Sequence, residues 1–386
     1  MQLKEDYRNG EIMKKVGICT LFTGYNYGSS LQAFALKKTI DKLGYDPIIF
    51  KLSGSLVKGR DVRPKKMFIT FFRMLANSRD IRGTIKSFKK NSKANIAPST
   101  IEAFNEFTAD YLNPKYVSYR EIKKLAKKED YAAFVCGSDQ IWNSTAYYVD
   151  PFYYLRFAPK EKRIAYAPSF GRTYVPNYNK NKISKYLNEI NYISVRETTG
   201  KDIVKEIIDK ECTVCLDPTL LLNKSDWENS FNLKRINKNY IFCYFLDKPT
   251  EKAKKTIEIL AKKTKCQVCY INTSENKLQG IDGGPIGFLN YILNAQYVLT
   301  DSFHGVAFSV NFNKKFIVFD RAYTTEKTQS TRITSLLEKL NISFLFDTTN
   351  IKNMDSIDYQ KVNSILQEER KKSLEYLSTS IRSINK

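Results

Sequence analysis

Two Rossmann-like α/β domains facing a cleft are the architecture this chain predicts, on three observations. Short β-rich runs alternate with amphipathic helices in two separate stretches. The first stretch opens as strand, loop, helix, strand, which is how a parallel sheet begins. A polar, poorly periodic interval at residues 223–239 separates the two and reads as a linker. The length agrees, since 386 residues suffice for two ordinary domains, each with its own core. The expected boundaries are residues 1–225 for the first domain and 235–386 for the second.

In the first unit, β-rich residues 16–22 precede a helical pattern over residues 30–43, carried by Leu31, Phe34, Ala35, Lys38 and Leu43. Gly44 stops that helix, and Pro47-Ile48-Ile49-Phe50 reads as the next strand. Helices are expected around residues 101–111 and 119–128, then short buried strands at 132–136, 163–167, 192–195 and 213–216. The second unit alternates strand 240–245, helix 251–263, strand 267–271, helix 287–294, strand 297–300, helix 306–311 and strand 316–319. Residues 332–340 and 357–377 read as closing helices.

The formal net charge of +23 asks for an anionic partner. Part of the excess forms a basic insertion at residues 51–95. Between Lys58 and Lys93, twelve lysines and arginines face only Asp61 and Asp80. Within it Met67, Phe68, Phe71, Phe72 and Leu75 fall at helical spacing. A basic helix with an aromatic face suits an anionic membrane surface. The same pattern suits a helix that packs its Phe face on the domain and leaves its lysines solvated. No nucleic acid is expected as partner, because no nucleic-acid motif accompanies the charge.

No segment approaches the ~18 unbroken apolar residues a membrane span needs, and residues 1–15 lack the apolar core of a secretory signal. The expected location is cytoplasmic, with peripheral attachment to the inner face of the membrane as the insertion's first reading. Seven cysteines, an odd number over a long chain, make no disulfide framework. Cys212 with Cys215 and Cys266 with Cys269 have the spacing of a four-thiolate zinc site. Each pair lies in a strand-like run, where side chains three apart point to opposite faces. They read as buried strand residues, and no metal is expected.

The chain's one histidine, His304, draws attention by position. It follows a strand that ends in Thr300-Asp301-Ser302 and precedes Gly305 and an apolar helix. In open α/β sheets, ligands bind at the carboxyl ends of strands and the N-termini of the following helices. Gly305 lets the backbone approach a ligand closely. A helix dipole favours neutral imidazole, whereas a bound phosphate favours the protonated form, so occupancy can switch the proton on His304. That suits a general acid.

Two other strand-end segments read similarly. Gly24-Tyr25-Asn26-Tyr27-Gly28-Ser29-Ser30 joins the first strand to the first helix and matches no nucleotide-binding fingerprint. A tight turn with a Ser29 or Ser30 helix cap explains much of it equally well. Gly137-Ser138-Asp139-Gln140-Ile141-Trp142-Asn143 collects small, acidic, amide and aromatic groups that suit a sugar's hydroxyls and ring face. Arg196 ends another strand and is placed to clamp a phosphate or carboxylate, or else to pair with Glu197 or Asp202.

Together these segments resemble the polysaccharide pyruvyl transferase family. The resemblance runs through Asn26-Tyr27-Gly28-Ser29 with Leu31-Gln32-Ala33, Gly137-Ser138-Asp139-Gln140-Ile141-Trp142, and Ser194-Val195-Arg196-Glu197. It continues through Asp217-Pro218-Thr219-Leu220-Leu221, Gly284-Pro285 with Phe288-Leu289, Thr300-Asp301-Ser302-Phe303-His304-Gly305, and Thr331-Arg332-Ile333. The basic insertion has no counterpart in it. The resemblance implies a GT-B-like fold and phosphoenolpyruvate as co-substrate, with no further cofactor. The product would be a pyruvate ketal bridging two hydroxyls of one sugar.

By that analogy Arg196, Ser302, Phe303, Gly305 and Arg332 hold the donor, and His304 is acid and base. Asp139 either takes the hydroxyl proton or orients the sugar. The acceptor, a sugar of a surface polysaccharide or its lipid-linked precursor, would meet Asn26, Tyr27, Gly28, Ser29, Gln32, Ser138, Gln140 and Trp142. The rival readings are a GT-B glycosyltransferase using a nucleotide-sugar, and an inactive membrane-associated binding protein.

Overall fold

Each half of the chain builds a sheet whose strands all run parallel, so the carboxyl ends of every sheet lie on one edge. The computed structural model describes residues 7–8, 11–54, 63–77, 96–236, 238–271, 283–321 and 330–384. After a short antiparallel pair, β1 (Tyr7–Arg8) and β2 (Glu11–Ile12), the first sheet begins. Its strands are β3 (Lys15–Cys19), β4 (Asp46–Leu52), β5 (Lys115–Val117), β6 (Tyr131–Cys136), β7 (Arg163–Ala165), β8 (Tyr192–Val195) and β9 (Thr213–Val214). Their spatial order is β5-β4-β3-β6-β7-β8-β9. The order reverses between β3 and β6, and a crevice opens at the carboxyl ends of such a pair. The second sheet holds β10 (Tyr240–Tyr244), β11 (Gln267–Tyr270), β12 (Tyr297–Thr300) and β13 (Lys315–Val318), in the order β11-β10-β12-β13.

The helices that matter for the site are α1 (Tyr27–Lys42), α2 (Pro64–Asn77), α3 (Lys224–Phe231), α4 (Pro285–Asn294), α5 (Phe303–Asn311), α6 (Thr331–Lys339) and α7 (Tyr359–Ile384). Both α1 and α5 begin three residues before their apolar periodicity does. Asn26 caps α1 by accepting from the Ser29 amide at 3.0 Å, and Ser302 caps α5 by accepting from the Gly305 amide at 3.4 Å. Gly44, at φ +90°, ends the α1 segment as expected of a glycine past a helix end.

The expected linker is a packed connection instead. Asn223 and Asp226 form a capping box that starts α3, and Trp227 on that helix is fully buried. Its indole donates to the Thr219 carbonyl at 3.2 Å. Downstream, the side chains of Asn290 and Asn294 accept from the backbone amides of Lys234 and Ile236 at 2.9 and 2.8 Å. The final helix also departs from expectation. Rather than close the second unit alone, α7 returns to the first: Arg370 donates to the Leu220 carbonyl at 2.6 Å, and Tyr376 to that of Ala165 at 3.1 Å.

One hydrophobic core runs through both units, with Leu31, Phe34 and Ala133 from the first and Phe288, Val306 and Phe308 from the second. Tyr27 stacks on Phe288 at 4.8 Å, and Trp227 meets Phe308 edge-on at 5.0 Å. Separate cores cover the outer faces of the two sheets. This is the GT-B-like arrangement that the sequence predicts. Cys212 and Cys215 flank β9 in the first sheet, whereas Cys269 lies in β11 of the second, so the two pairs belong to different sheets.

Helix α2, in the basic insertion, overturns the reading in which its Phe face packs on the domain. Phe68, Phe71 and Phe72 are exposed. The rest of the insertion, residues 55–62 and 78–95, lies outside the described residues. No helix among those described is long and apolar enough to cross a membrane.

Candidate active site

The carboxyl ends of β3, β6, β8, β9 and β12 deliver the site residues, four of these strands from the first few positions after them and β3 from the start of the helix that follows its loop. From β3 come the cap and first turn of α1, with Gly28 and Ser29. From β6 comes Ser138-Asp139. From β8 comes Arg196-Glu197, from β9 Asp217, and from β12 the start of α5 with His304 in its first turn. Arg332 enters from the start of α6. The charged and polar residues among these are buried, none more than 9% exposed.

The anchor is Asp217. Its Oδ2 accepts from Arg196 Nη1 at 2.6 Å and lies 3.1 Å from Ser138 Oγ and 3.7 Å from His304 Nε2. Its Oδ1 accepts from the Thr219 amide and hydroxyl at 3.0 and 2.8 Å. Burial pushes this carboxyl up, but His304, Arg196 and the Thr219 amide outweigh it and hold it well below the ordinary range. Asp139 accepts from Ser29 Oγ at 2.5 Å and stands 3.8 Å from Arg196 Nη2. Burial raises it too, and Arg196, His304 and Ser29 together bring it below its usual value. The backbone of Asp139 is left-handed, at φ 62°, a conformation aspartate tolerates better than most residues.

The guanidinium of Arg196 lies 4.5 Å over the Phe303 ring. Burial pulls its pKa down, yet Asp217, Asp139 and Glu197 more than restore it, so it stays charged. Arg332 has less support: burial and the repulsion of Arg196 bring it down to about 10. Arg196 and Arg332, with Asp217 and Phe303, line a cavity of about 20 Å³, room for one water-sized group. Several buried polar atoms here have no hydrogen-bond partner among the described residues: Arg196 Nε and Nη2, Arg332 Nε, His304 Nε2 and Glu197 Oε2.

Two glycines shape the centre. A Cβ on Gly28 would overlap the His304 imidazole, so α1 and α5 approach this closely only through glycine. A Cβ on Gly305 would collide with Thr300, whose hydroxyl donates to the Tyr244 carbonyl at 2.6 Å. Asp301 ties the end of β12 to that of β10 by accepting from the amides of Leu246 and Asp247 at 2.7 and 3.2 Å.

The structure thus brings together His304, Asp139, Arg196, Phe303, Arg332, Gly28, Ser29 and Ser138. Ser302 and Asn26 serve as helix caps, and Gly305 as a close-approach position. Gln32 is fully buried and spends its amide internally, donating to Thr20, Leu21 and Ser29 and accepting from the Ser138 amide at 3.1 Å. Tyr27 donates to the Gly283 carbonyl at 2.7 Å. Trp142 is a correction to the expected ring stacking on a sugar: it is stacked on Tyr154 at 5.2 Å and donates to the Tyr153 carbonyl. Gln140 lines an open groove of about 270 Å³ with Lys66, Thr70, Asn143 and Tyr147.

Arg196 pairs not with Asp202 but most closely with Asp217, which the sequence placed in a matching segment of the family resemblance but gave no role. The available signal was that β8 and β9 are adjacent and end together, which puts the residues just past them side by side. Among the described residues no group of three or more His, Cys, Asp or Glu side chains is placed to hold a metal ion.

Solved structures that resemble the chain include UDP-N-acetylglucosamine 2-epimerase from Rickettsia bellii, at TM-score 0.45 and 11% identity, covering 97% of this chain and 98% of that one. The UDP-GlcNAc 2-epimerase of Neisseria meningitidis gives 0.40 and 10%, covering 96% and 98%. MurG of Acinetobacter baumannii gives 0.40 and 10%, covering 96% and 99%. No curated protein matches the chain. The family described as polysaccharide pyruvyl transferase matches residues 26–323, from the cap of α1 to beyond β13 and through every strand-end segment of the site. The chain belongs to the polysaccharide pyruvyl transferase family.

Proposed function

We propose that the chain transfers the enolpyruvyl group of phosphoenolpyruvate to two hydroxyls of one sugar, forming a pyruvate ketal and releasing phosphate. The carrying observation is the set of buried polar groups without hydrogen bonds. Arg196 Nε and Nη2, Arg332 Nε and His304 Nε2 make no hydrogen bond among the described residues; Glu197, Asp139 and Asp217 face Arg196 Nε, Arg196 Nη2 and His304 Nε2 at 3.8, 3.8 and 3.7 Å, beyond hydrogen-bond length. Each buried donor left without a partner costs about 1–3 kcal/mol. An oxygen of a ligand's phosphate or carboxylate, reaching into the small cavity that Arg196 and Arg332 line, satisfies several of them at once, with charge-assisted bonds. The N-termini of α1 and α5 add favourable dipoles on the same side.

In this reading His304, protonated, gives its proton to the enol methylene carbon. The C2 atom gains cationic character and a sugar hydroxyl adds to it. The first hydroxyl's proton passes back to His304, the bond from C2 to the phosphate oxygen breaks, and the second hydroxyl closes the ketal as its proton goes to the departing phosphate. Arg196 and Arg332 hold the donor's phosphate and carboxylate. Asp139 is held ionised by Arg196, which makes it a weak base, so its role is to orient the acceptor hydroxyl rather than to take its proton. The acceptor is a sugar of a surface polysaccharide or of its lipid-linked precursor.

Calorimetry with phosphoenolpyruvate tests this on wild type, His304→Ala and Arg196→Ala, each checked for an unchanged circular dichroism spectrum. Binding in the micromolar to millimolar range, weakened at least about tenfold by either substitution, supports the reading. Binding of a nucleotide-sugar in place of phosphoenolpyruvate would overturn it in favour of glycosyl transfer.

A further inference from the structure

Helix α2 is mounted with its polar side inward. At 3.6 residues per turn, Lys66, Thr70 and Arg73 share one side of it. That side meets the body of the first unit. Arg73 donates to the Tyr147 carbonyl at 3.1 Å and to Asn179 Oδ1 at 2.9 Å, Arg63 pairs with Asp150, and Lys66 and Thr70 line the groove shared with Gln140. The opposite side carries Phe68, Phe71 and Phe72, which are 64%, 47% and 52% exposed, with Met67 beside them. Their rings touch, with centroids 4.5 Å apart for Phe68 and Phe72 and 5.7 Å for Phe71 and Phe72. A surface helix ordinarily does the reverse. A contiguous exposed aromatic patch marks an interaction surface.

Charge decides what covers it. Between Lys58 and Lys93 the chain carries twelve basic and two acidic residues, and α2 itself has no acidic residue. A second copy seated on this face would bring two strongly basic segments together. An anionic lipid surface attracts the same segment and takes aromatic side chains at its boundary between headgroups and acyl chains.

We propose that α2 docks this protein on an anionic membrane surface, with Phe68, Phe71 and Phe72 entering the interface and the net positive charge of the segment 58–93 drawing it there. The purpose of this docking rests on the proposed function: the groove beneath α2 is bounded by Gln140, next to Asp139, so docking sets the acceptor side of the site beside a lipid-carried sugar.

Co-sedimentation of the full chain with vesicles tests the proposal. The vesicles are phosphatidylcholine alone or with about 30 mol% phosphatidylglycerol. The expected result is at least about tenfold tighter binding to the anionic vesicles, falling as salt rises from ~0.05 to ~0.5 M. That binding should be lost in the Phe68→Ser, Phe71→Ser, Phe72→Ser triple variant and weakened in a Lys89→Glu, Lys90→Glu variant. Both variants should keep the wild-type melting temperature and phosphoenolpyruvate binding. Equal binding to both vesicle types would overturn the docking, as would undiminished binding by the triple variant. So would concentration-dependent self-association that the triple variant abolishes, with no vesicle binding. Vesicle binding by a wild type that ignores phosphoenolpyruvate would sink the transferase reading and leave the docking intact.

Discussion

At Gly28 the two halves of the molecule meet with only a hydrogen atom between the α1 backbone and the His304 ring. Alanine there must push the imidazole aside, and a misplacement of about 1 Å in a catalytic group costs on the order of 10²-fold in rate. Gly28→Ala is therefore expected to lower kcat of the proposed transfer by about that factor while leaving the far-ultraviolet spectrum unchanged, as steady-state kinetics would show. Asp217→Asn keeps the shape but turns an amide donor toward Arg196. Breaking a buried pair in this way costs about 3–5 kcal/mol, to be read from urea denaturation. The pH dependence has a definite sign. Asp139 and Asp217 have folded pKa values below the ordinary aspartate value, so their stabilisation is complete above about pH 4 and is lost as pH falls through the folded values. Melting temperature should thus fall steeply with acid in wild type and less steeply in Asp217→Asn. His304 and Arg196 were legible in the sequence because the ends of parallel strands are where ligands bind. The role of Asp217 was not, although its segment matched: a two-residue strand followed by one helical turn leaves no periodic trace of where its side chain points. Trp142 shows the converse: an indole suits a sugar face and a core equally, and residue type does not distinguish them.

Helix starts carry the site, and caps rather than apolar periodicity set them. Tyr27, Gly28 and Ser29 add nothing to an amphipathic pattern, so the sequence places the start of α1 three residues late and leaves its first turn in a loop. Asn26→Ala should cost about 1 kcal/mol of stability in urea denaturation, through loss of the cap. Asn26→Ser should restore most of it. A role in contacting the acceptor would show instead as a raised KM that serine does not repair. Helix α2 teaches the same lesson about faces. Spacing reveals that an aromatic stripe exists, but which side meets the body is decided by Asp150 and Asn179, both distant in sequence.

A shared core joins the two units of the molecule, and its two parallel sheets and the order of their elements were readable from alternation alone. Its closure was not, because α7 engages residues more than 150 positions earlier. Leu377, fully buried on that helix, belongs to the common core. Leu377→Ala should cost about 2–5 kcal/mol and shift a single urea transition, rather than split it into separate melts of the two units. The same helix completes a part of the candidate site that the first sheet cannot hold alone. Ser373 accepts from the amide of Leu216, the residue before Asp217, at 3.0 Å. Domains emerging from a ribosome generally settle in the order they are made. Here the first-made sheet must wait for residues 366–381 before the tip that holds Arg196 in place is secured. A chain interrupted before that point carries most of its site residues but lacks the helix that braces Leu216, next to Asp217.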